Sequence, residues 1–488
     1  MKTKSRRPVL IALLGLTFLI LMACSPATPT AAPTAAATTV VTEEAATAVE
    51  TAVVTEAVTP ALTSEATQPE PEKTVVARAT DAEFVCPQGQ ADIVVAAGAV
   101  GIEFQLAQEA GKRFNELCPN ITVTPLESQD LATDRLGQYI QFLGAKSPIV
   151  DVYQVDIVNI GGLAEHFVDL TAAVGPDFAA TQFPSMIETG TIDGKLIALP
   201  WLIDTGHLYY RTDLLEKYKL EVPKTWDELE AAAAKIQEGE RAAGNSEFWG
   251  YVWQGAVGEA LTCNALEWQA SHNGGVIIAA DGSIQVNSPD MVAALERARG
   301  WIGTISPEGV LGQAEEDARA IWEAGNAAFM RNWFYAYGLG NREDSAIREK
   351  FALTQLPAGP DGKPAATLGG QSLAVSKYSD NVEAAIAVAQ FMASEQEQKI
   401  RSLQASLNPT FPSLYTDAEL LKAYPPYADI LTTFQNAATP RPSSVAGTKY
   451  EKVSSLYFNA VYNVLRGDDD AASAMEFLEV DLEDLLAE

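Results

Sequence analysis

The chain has 488 residues, 47% of them apolar, and its eight tryptophans all lie beyond residue 200, which is material for large cores and a pocket with aromatic walls. Sixty-four acidic against 33 basic side chains leave a formal charge of -31, which repels nucleic acid phosphates and favours a dispersed monomer. With three histidines and no CxxC or HExxH motif, the sequence argues against a zinc site, and no pattern in the chain calls for another metal or a cofactor.

In chain order, Lys2, Lys4, Arg6 and Arg7 precede an apolar run from Val9 to Met22, shorter than the roughly 20 residues that span a bilayer. The run ends in LMACS, where Leu21, Met22 and Ala23 set Cys24 in a context that resembles a bacterial lipobox. Residues 1–24 then read as a lipoprotein signal peptide, with Cys24 lipidated and left as the mature N-terminus; the alternative is a cut nearby without lipid. Residues 25–82 are Ala, Thr, Val, Pro and Glu with no aromatic side chain, a composition that cannot bury enough surface to fold and reads as a tether. In an oxidising compartment Cys86 and Cys118, which flank the first strand–helix unit, are placed to pair, while Cys263, amid apolar residues, reads as an inert buried thiol.

From about residue 85 strands alternate with helices. ADIVVAA (91–97) is an apolar strand, and Ala107, Ala110, Phe114 and Leu117 share one face of the helix after it. ITVTPL is a second strand, Leu136, Ile140 and Leu143 mark a second helix, and IVDVYQVD (149–156) is a third strand. This order predicts an α/β lobe with a largely parallel sheet, whose ligands bind beyond the carboxyl ends of its strands. Asp156 and Glu103 fall at that edge; the competing reading for each is a solvated terminus or a helix-start acid.

ALPWLIDTGHLYYRTDLLEKY (198–218) runs as a buried strand into a helix, with Pro200 excluding a central helix and Asp204 interrupting the apolar run. Thr225 and Glu228 form a capping box that restarts α/β structure. FALTQLP (351–357) and ATLGGQSLAVS (366–376) are strand-like, the second with paired glycines that let backbone approach a ligand. Two amphipathic helices finish the chain, carrying Val453, Leu456, Ala460 and Val464, then Met475, Leu478, Leu482 and Leu485. Between these elements lie the aromatic clusters FWGYVWQG (248–255) and GNAAFMRNWFYAYGLG (325–340). Phe329 and Phe334 read as core, whereas Trp333, beside Arg331 and Asn332, is a candidate cleft residue. A flat ring stacks on the apolar face of a pyranose while carboxylates and arginines bind its hydroxyls, and charged hydrogen bonds contribute roughly 1.5–3 kcal/mol each.

ALPWLIDTGHLYYRTDLLEKY, FWGYVWQG, GNAAFMRNWFYAYGLGNREDS, ATLGGQSLAVSKYSDN and NAATPRP recur in the order found in extracellular solute-binding proteins of ABC sugar importers, and the chain most resembles the trehalose/maltose binders. The resemblance implies an α/β, two-lobe periplasmic-binding-protein fold of type II, with a hinge between lobes and no catalysis. Residues 85–203 with 358–403 would form one lobe, and 204–357 with 404–488 the other. It implies a sugar held by Glu103, Arg135, Asp156 and Asp204, stacked on Trp333, and met by Gly369, Gly370 and Arg441. It also implies an ABC permease as partner and, with the lipobox-like context of Cys24, a place on the extracytoplasmic face of the cell membrane, reached through the N-terminal lipid alone. The chain departs from the trehalose/maltose pattern at Leu202, where those binders carry a tyrosine, and at Gln371, where they carry a tryptophan. Trp201, Trp253 and Tyr337 are the candidates to replace the lost faces.

Two other readings fit the residues. Clustered carboxylates and aromatics also suit a glycoside hydrolase, although nothing marks a general acid. A receptor for a non-disaccharide polyol needs the same groups, whereas the acidic candidates argue against a phosphorylated ligand.

Overall fold

In the computed structural model, which describes residues 84–360 and 362–488, the strand–helix alternation resolves into two main β-sheets and a separate two-stranded antiparallel pair, Thr191–Ile192 with Lys195–Leu196, within one compact unit. The signal peptide, Cys24 and the tether expected over residues 25–82 lie outside the described residues. The strands are β1 (Ala91–Ala97), β2 (Ile121–Glu127), β3 (Val152–Asp156), β4 (Thr191–Ile192), β5 (Lys195–Leu196) and β6 (Ala198–Thr205). They continue with β7 (His207–Arg211), β8 (Trp249–Val252), β9 (Ala327–Asn332), β10 (Phe351–Thr354), β11 (Ala366–Val375) and β12 (Ala438–Thr439).

The first sheet has the order β12-β11-β3-β1-β2, with β6 also paired to β11. β1 lies parallel to β2 and β3, as strands joined through helices must, but β11 runs antiparallel to both β3 and β6. The sheet is therefore mixed rather than largely parallel, because β11 arrives from β10 of the other sheet and not through a crossover helix. Val95, Phe114, Val152, Leu199 and Leu373 belong to one of its cores, and Tyr139, Tyr153 and Phe167 to another. The helix Glu103–Leu117 buries Ala107, Ala110 and Phe114 as their spacing predicts, with Leu117 half-buried. A disulfide joins Cys86 to Cys118 with the Cα atoms 5.6 Å apart, tying the end of that helix to the segment before β1. The helix Ala132–Gly144 turns a different face inward from the one expected. Arg135, Tyr139 and Leu143 are buried at i, i+4 and i+8, whereas Ile140 is 39% exposed. Arg135 sets this rotation, since its Nε and Nη2 donate to the carbonyls of Gln129 and Asp130 at 2.9 Å.

The second sheet has the order β10-β7-β9-β8. Its core includes Trp226, Trp253, Trp268 and Trp301, whose rings meet at angles, Trp253 and Trp268 edge to face with centroids 5.0 Å apart. Both bonds of the Thr225–Glu228 capping box are present at the start of the helix Trp226–Ala242. Phe329 and Phe334 are fully buried, as expected of core. In the helix Tyr450–Arg466, Val453 and Val464 are buried while Leu456 and Ala460 are half-buried; in Ala471–Ala487, Met475, Leu478, Leu482 and Leu485 are all buried.

The chain passes from one sheet to the other between β6 and β7, at Gly206. A Cβ there would fall 2.2 Å from Glu267 Oε1 and 2.7 Å from Arg331 Nη2. These two side chains form a buried ion pair at 2.6 Å, each 1% exposed, so the crossing passes directly over a fixed charge pair that leaves room only for glycine.

Candidate functional site

Where β3 and β6 end, a cleft opens, and Glu103, Arg135, Asp156, Asp204, Trp333, Gly369, Gly370, Gln371 and Arg441 all line it. Residues chosen from segments up to several hundred positions apart thus converge. Strand register explains part of this. Gln371 of β11 is paired with Asp156 on β3 and with Leu202 on β6, and Gly369 with Asp204. Cross-strand partners point to one face of a sheet, so these residues make a common floor.

Asp204 is 6% exposed. Its Oδ1 accepts from Thr205 N–H at 2.8 Å and from Asn408 Nδ2 at 3.0 Å, while Oδ2 accepts from Phe334 N–H at 3.1 Å and keeps a free lone pair. Burial pushes its carboxyl up to about 7, against the opposing pull of these backbone donors and of Arg331. The neighbouring His207, 4.0 Å away, is held neutral by burial, its pKa lowered to about 3.

Glu103, first residue of its helix, and Arg135 meet over Gly98, where a Cβ would lie 2.2 Å from Glu103 Oε2 and 2.9 Å from Arg135 Nη1. Gln154 Nε2 donates to Glu103 Oε2 at 3.4 Å, and Gln154 is itself held by Gly98 N–H at 2.7 Å. Burial raises the Glu103 pKa, with Arg135 and Arg401 pulling the other way. Arg135 Nη1 makes no hydrogen bond among the described residues.

The Trp333 ring is fixed on three sides. The Arg331 guanidinium lies over it, 4.1 Å from the centroid, its Nε1 donates to Glu315 Oε1 at 3.3 Å, and a Cβ at Gly369 would come within 3.0 Å of its edge. Trp333 is half-buried and lines the cleft. Gly370 has φ +153° and would set a Cβ 2.5 Å from the Leu202 carbonyl, so the glycine pair is required by the close approach of β6 and Trp333 to β11.

Arg441, 2% exposed in its side chain, bridges Asp156 Oδ1 at 2.9 Å and Glu259 Oε1 at 2.8 Å. Glu259 opens the helix Glu259–Ser271 and also accepts from the Tyr450 hydroxyl and, at 2.6 Å, from Ser454 Oγ. Its N–H donates to Thr133 Oγ1 at 3.1 Å, linking that helix to Ala132–Gly144.

The profile of the bacterial extracellular solute-binding protein family matches residues 98–399. The chain belongs to that family. A probable ABC transporter-binding protein of Deinococcus radiodurans is 48% identical to this solute-binding protein over 346 residues, 71% of this chain and 82% of that one. The structure of maltose-bound MalE3 from T. maritima superposes with a TM-score of 0.77 at 35% identity, over 81% of this chain and all of that one. A solute-binding protein of Agrobacterium radiobacter solved with ribitol, at 22% identity and TM-score 0.72, covers 82% of this chain and all of its own and shares the fold. The two-lobe fold of a solute-binding protein is therefore established, and with it a binding role rather than an enzymatic one.

Three aromatic candidates do not reach the cleft of this solute-binding protein. Trp201 is covered by Arg401, 3.8 Å from its ring, and donates to the Met392 carbonyl. Trp253 donates to Ser306 inside the second core, and Tyr337 stacks on Phe334 with centroids 5.4 Å apart. Tyr335 lines the cleft instead, its hydroxyl bound to Glu316 at 2.6 Å. Arg331 and Asn332 are buried and support Trp333 from behind. Glu259 and Glu315 were not singled out in the sequence and line the cleft, as does Cys263, a free thiol whose pKa burial pushes well up. The signal for both acids was faint, a carboxylate at a helix start, which the helix dipole explains equally well. Among the described residues no group of His, Cys, Asp or Glu is arranged to hold a metal, and no helix is long and apolar enough to cross a membrane.

Proposed function

We propose that this protein is the substrate-binding lipoprotein of an ABC importer, taking a di- or oligosaccharide into the cleft and handing the closed form to a membrane permease. The observation that carries this reading is the convergence of carboxylates, two arginines and one rigid indole face on a single cleft floored by β3, β6 and β11. Carboxylates accept from sugar hydroxyls, arginines donate to them, and the indole takes the apolar ring face. The T. maritima relative solved with maltose and the maltodextrin-binding protein of Bacillus subtilis (25% identical, 48% of this chain and 54% of that one) support a trehalose/maltose-like ligand, and the Deinococcus radiodurans transporter component supports the importer role.

On this reading Cys24 carries the lipid, residues 25–82 tether a monomeric receptor to the extracytoplasmic face of the membrane, and no nucleic acid takes part. The lobes comprise residues 85–203 with 358–403 and 204–357 with 404–488, hinged near Gly206. A sugar touching both favours closure only by its differential affinity for the closed form, so binding and closure are one equilibrium.

The test is calorimetric titration of the mature chain with trehalose, maltose, sucrose and glucose, with a parallel assay for released monosaccharide. Saturable binding without release is the expected outcome. Release would return the glycoside hydrolase reading, and neither binding nor release would assign the cleft to a ligand outside the panel, such as a non-disaccharide polyol.

A further inference from the structure

The cleft is unequal at its two ends. Its aromatic lining, Trp333 and Tyr335, comes from one short segment, while the row Asp156–Gln371–Leu202 across β3, β11 and β6 carries no ring. Gln371 Oε1 is buried there without a hydrogen-bond partner, and its Nε2 makes no hydrogen bond among the described residues. Arg441, whose guanidinium is tied to Asp156 beside Gln371, leaves its buried Nε unpartnered too. A buried acceptor and a buried donor without partners are unfavourable unless a ligand supplies them. A hydroxyl, which donates and accepts, answers both.

We infer that the Gln371 end is a hydroxyl-reading subsite, so that the ligand is a glycoside with one pyranose stacked on Trp333 and a second unit that is a furanose or an open-chain polyol. This rests on the saccharide reading above but departs from its trehalose/maltose-like ligand in the second unit. A second pyranose would bring its flat apolar face against the Gln371 amide and the Leu202 methyls with no ring to stack on. A furanose or an alditol presents hydroxyls over most of its surface and loses nothing by the absence of a platform. Leu202 and Gln371 act together because they face each other across β6 and β11.

Matched pairs of ligands test this. Sucrose and trehalose share a non-reducing glucopyranose and differ in a furanose or pyranose partner; maltitol and maltose differ in an open or closed second unit. In calorimetry with the intact mature chain, sucrose and maltitol should bind about tenfold more tightly than trehalose and maltose, and Gln371→Trp should reverse the order by a similar factor. Leu202→Tyr, which adds a ring from the facing strand, should shift the order the same way and serves if Gln371→Trp does not fold. Trehalose and maltose binding as tightly as their partners, or both variants changing all four affinities equally, would overturn the subsite while leaving the receptor reading intact. Binding of none of the four would remove the saccharide reading and the subsite with it.

Discussion

Arg441 Nη2 lies 2.9 Å from Asp156 Oδ1, and this contact ties the last residue of β3 to the segment just beyond β12. The same guanidinium holds Glu259, so two acids from distant parts of the chain share one cation in a place nearly closed to water. Against the cost of burial, Asp156 and Glu259 keep the guanidinium charged, its pKa well above the usual arginine value. A ligand entering here meets charges that are already paired, and its hydroxyls add to a formed network instead of neutralising bare groups.

Replacing Arg441 by Met should therefore destabilise the protein, because Asp156 and Glu259 lose their shared partner. The expected loss is roughly 3–5 kcal/mol, read as a lower urea midpoint. Adding Asp156→Asn and Glu259→Gln to that variant should recover much of the midpoint without recovering sugar affinity. An unchanged midpoint in Arg441→Met would mean that the bridge contributes nothing to the fold.

On the proposed reading Asp204 serves the fold as well as the ligand. Asp204→Ala leaves the Phe334 N–H and the Asn408 amide without their acceptor, at a cost of about 1–3 kcal/mol, in addition to weaker sugar binding. Asp204→Asn keeps an oxygen for one of these donors and should be more stable than the alanine variant while still binding sugar poorly. Equal thermal midpoints for the two variants would show that the protein-side bonds are dispensable.

The Asp204 carboxyl is pushed up to about 7, so on the proposed reading binding should depend on pH. Sugar hydroxyls donate to the ionised form, so affinity should rise with pH through 7 and level off above it, by about tenfold between pH 6 and pH 8 if only the carboxylate binds. Glu103, also raised by burial, works in the same direction. Stability without ligand runs the opposite way. The folded pKa exceeds the unfolded one, so this contribution is complete below the unfolded pKa and is lost as pH rises through about 7. In Asp204→Asn the affinity profile should flatten, and a profile as steep as that of the original protein would place the titrating group elsewhere.

The floor of the cleft was legible because its residues break local rules. Asp204 interrupts an apolar strand and two adjacent glycines sit inside another, and both anomalies are visible within a few residues. The Arg441–Glu259 bridge was not legible, since its partners are 182 positions apart and each alone resembles an ordinary solvated charge. Gln154 carried a signal like that of Asp204, a polar side chain in a buried strand, and orients Glu103 from behind. The aromatic residues misled for a physical reason: periodicity does not tell whether a ring faces a core, a guanidinium or a cleft, and Trp201, Trp253 and the half-buried Tyr337 turn to the first two. The rotated face of Ala132–Gly144 has a related cause, because an arginine can be the buried residue of a helix when loop carbonyls satisfy it.

Trp333 offers the last test. Its ring is held by Arg331, Glu315 and Gly369, and Arg331 stays anchored to Glu267 at 2.6 Å whether or not the indole is present. Removing the ring should therefore cost binding more than folding. Trp333→Ala should weaken saccharide binding about tenfold or more, since an aromatic contact contributes roughly 0.5–1.5 kcal/mol beyond the area it buries. Trp333→Phe, which keeps a flat face but loses the bond to Glu315, should fall between the two. Calorimetry on the three proteins, with unfolding curves alongside, separates the effects; a large drop in stability with little change in affinity would make Trp333 a core residue and move the stacking face to Tyr335.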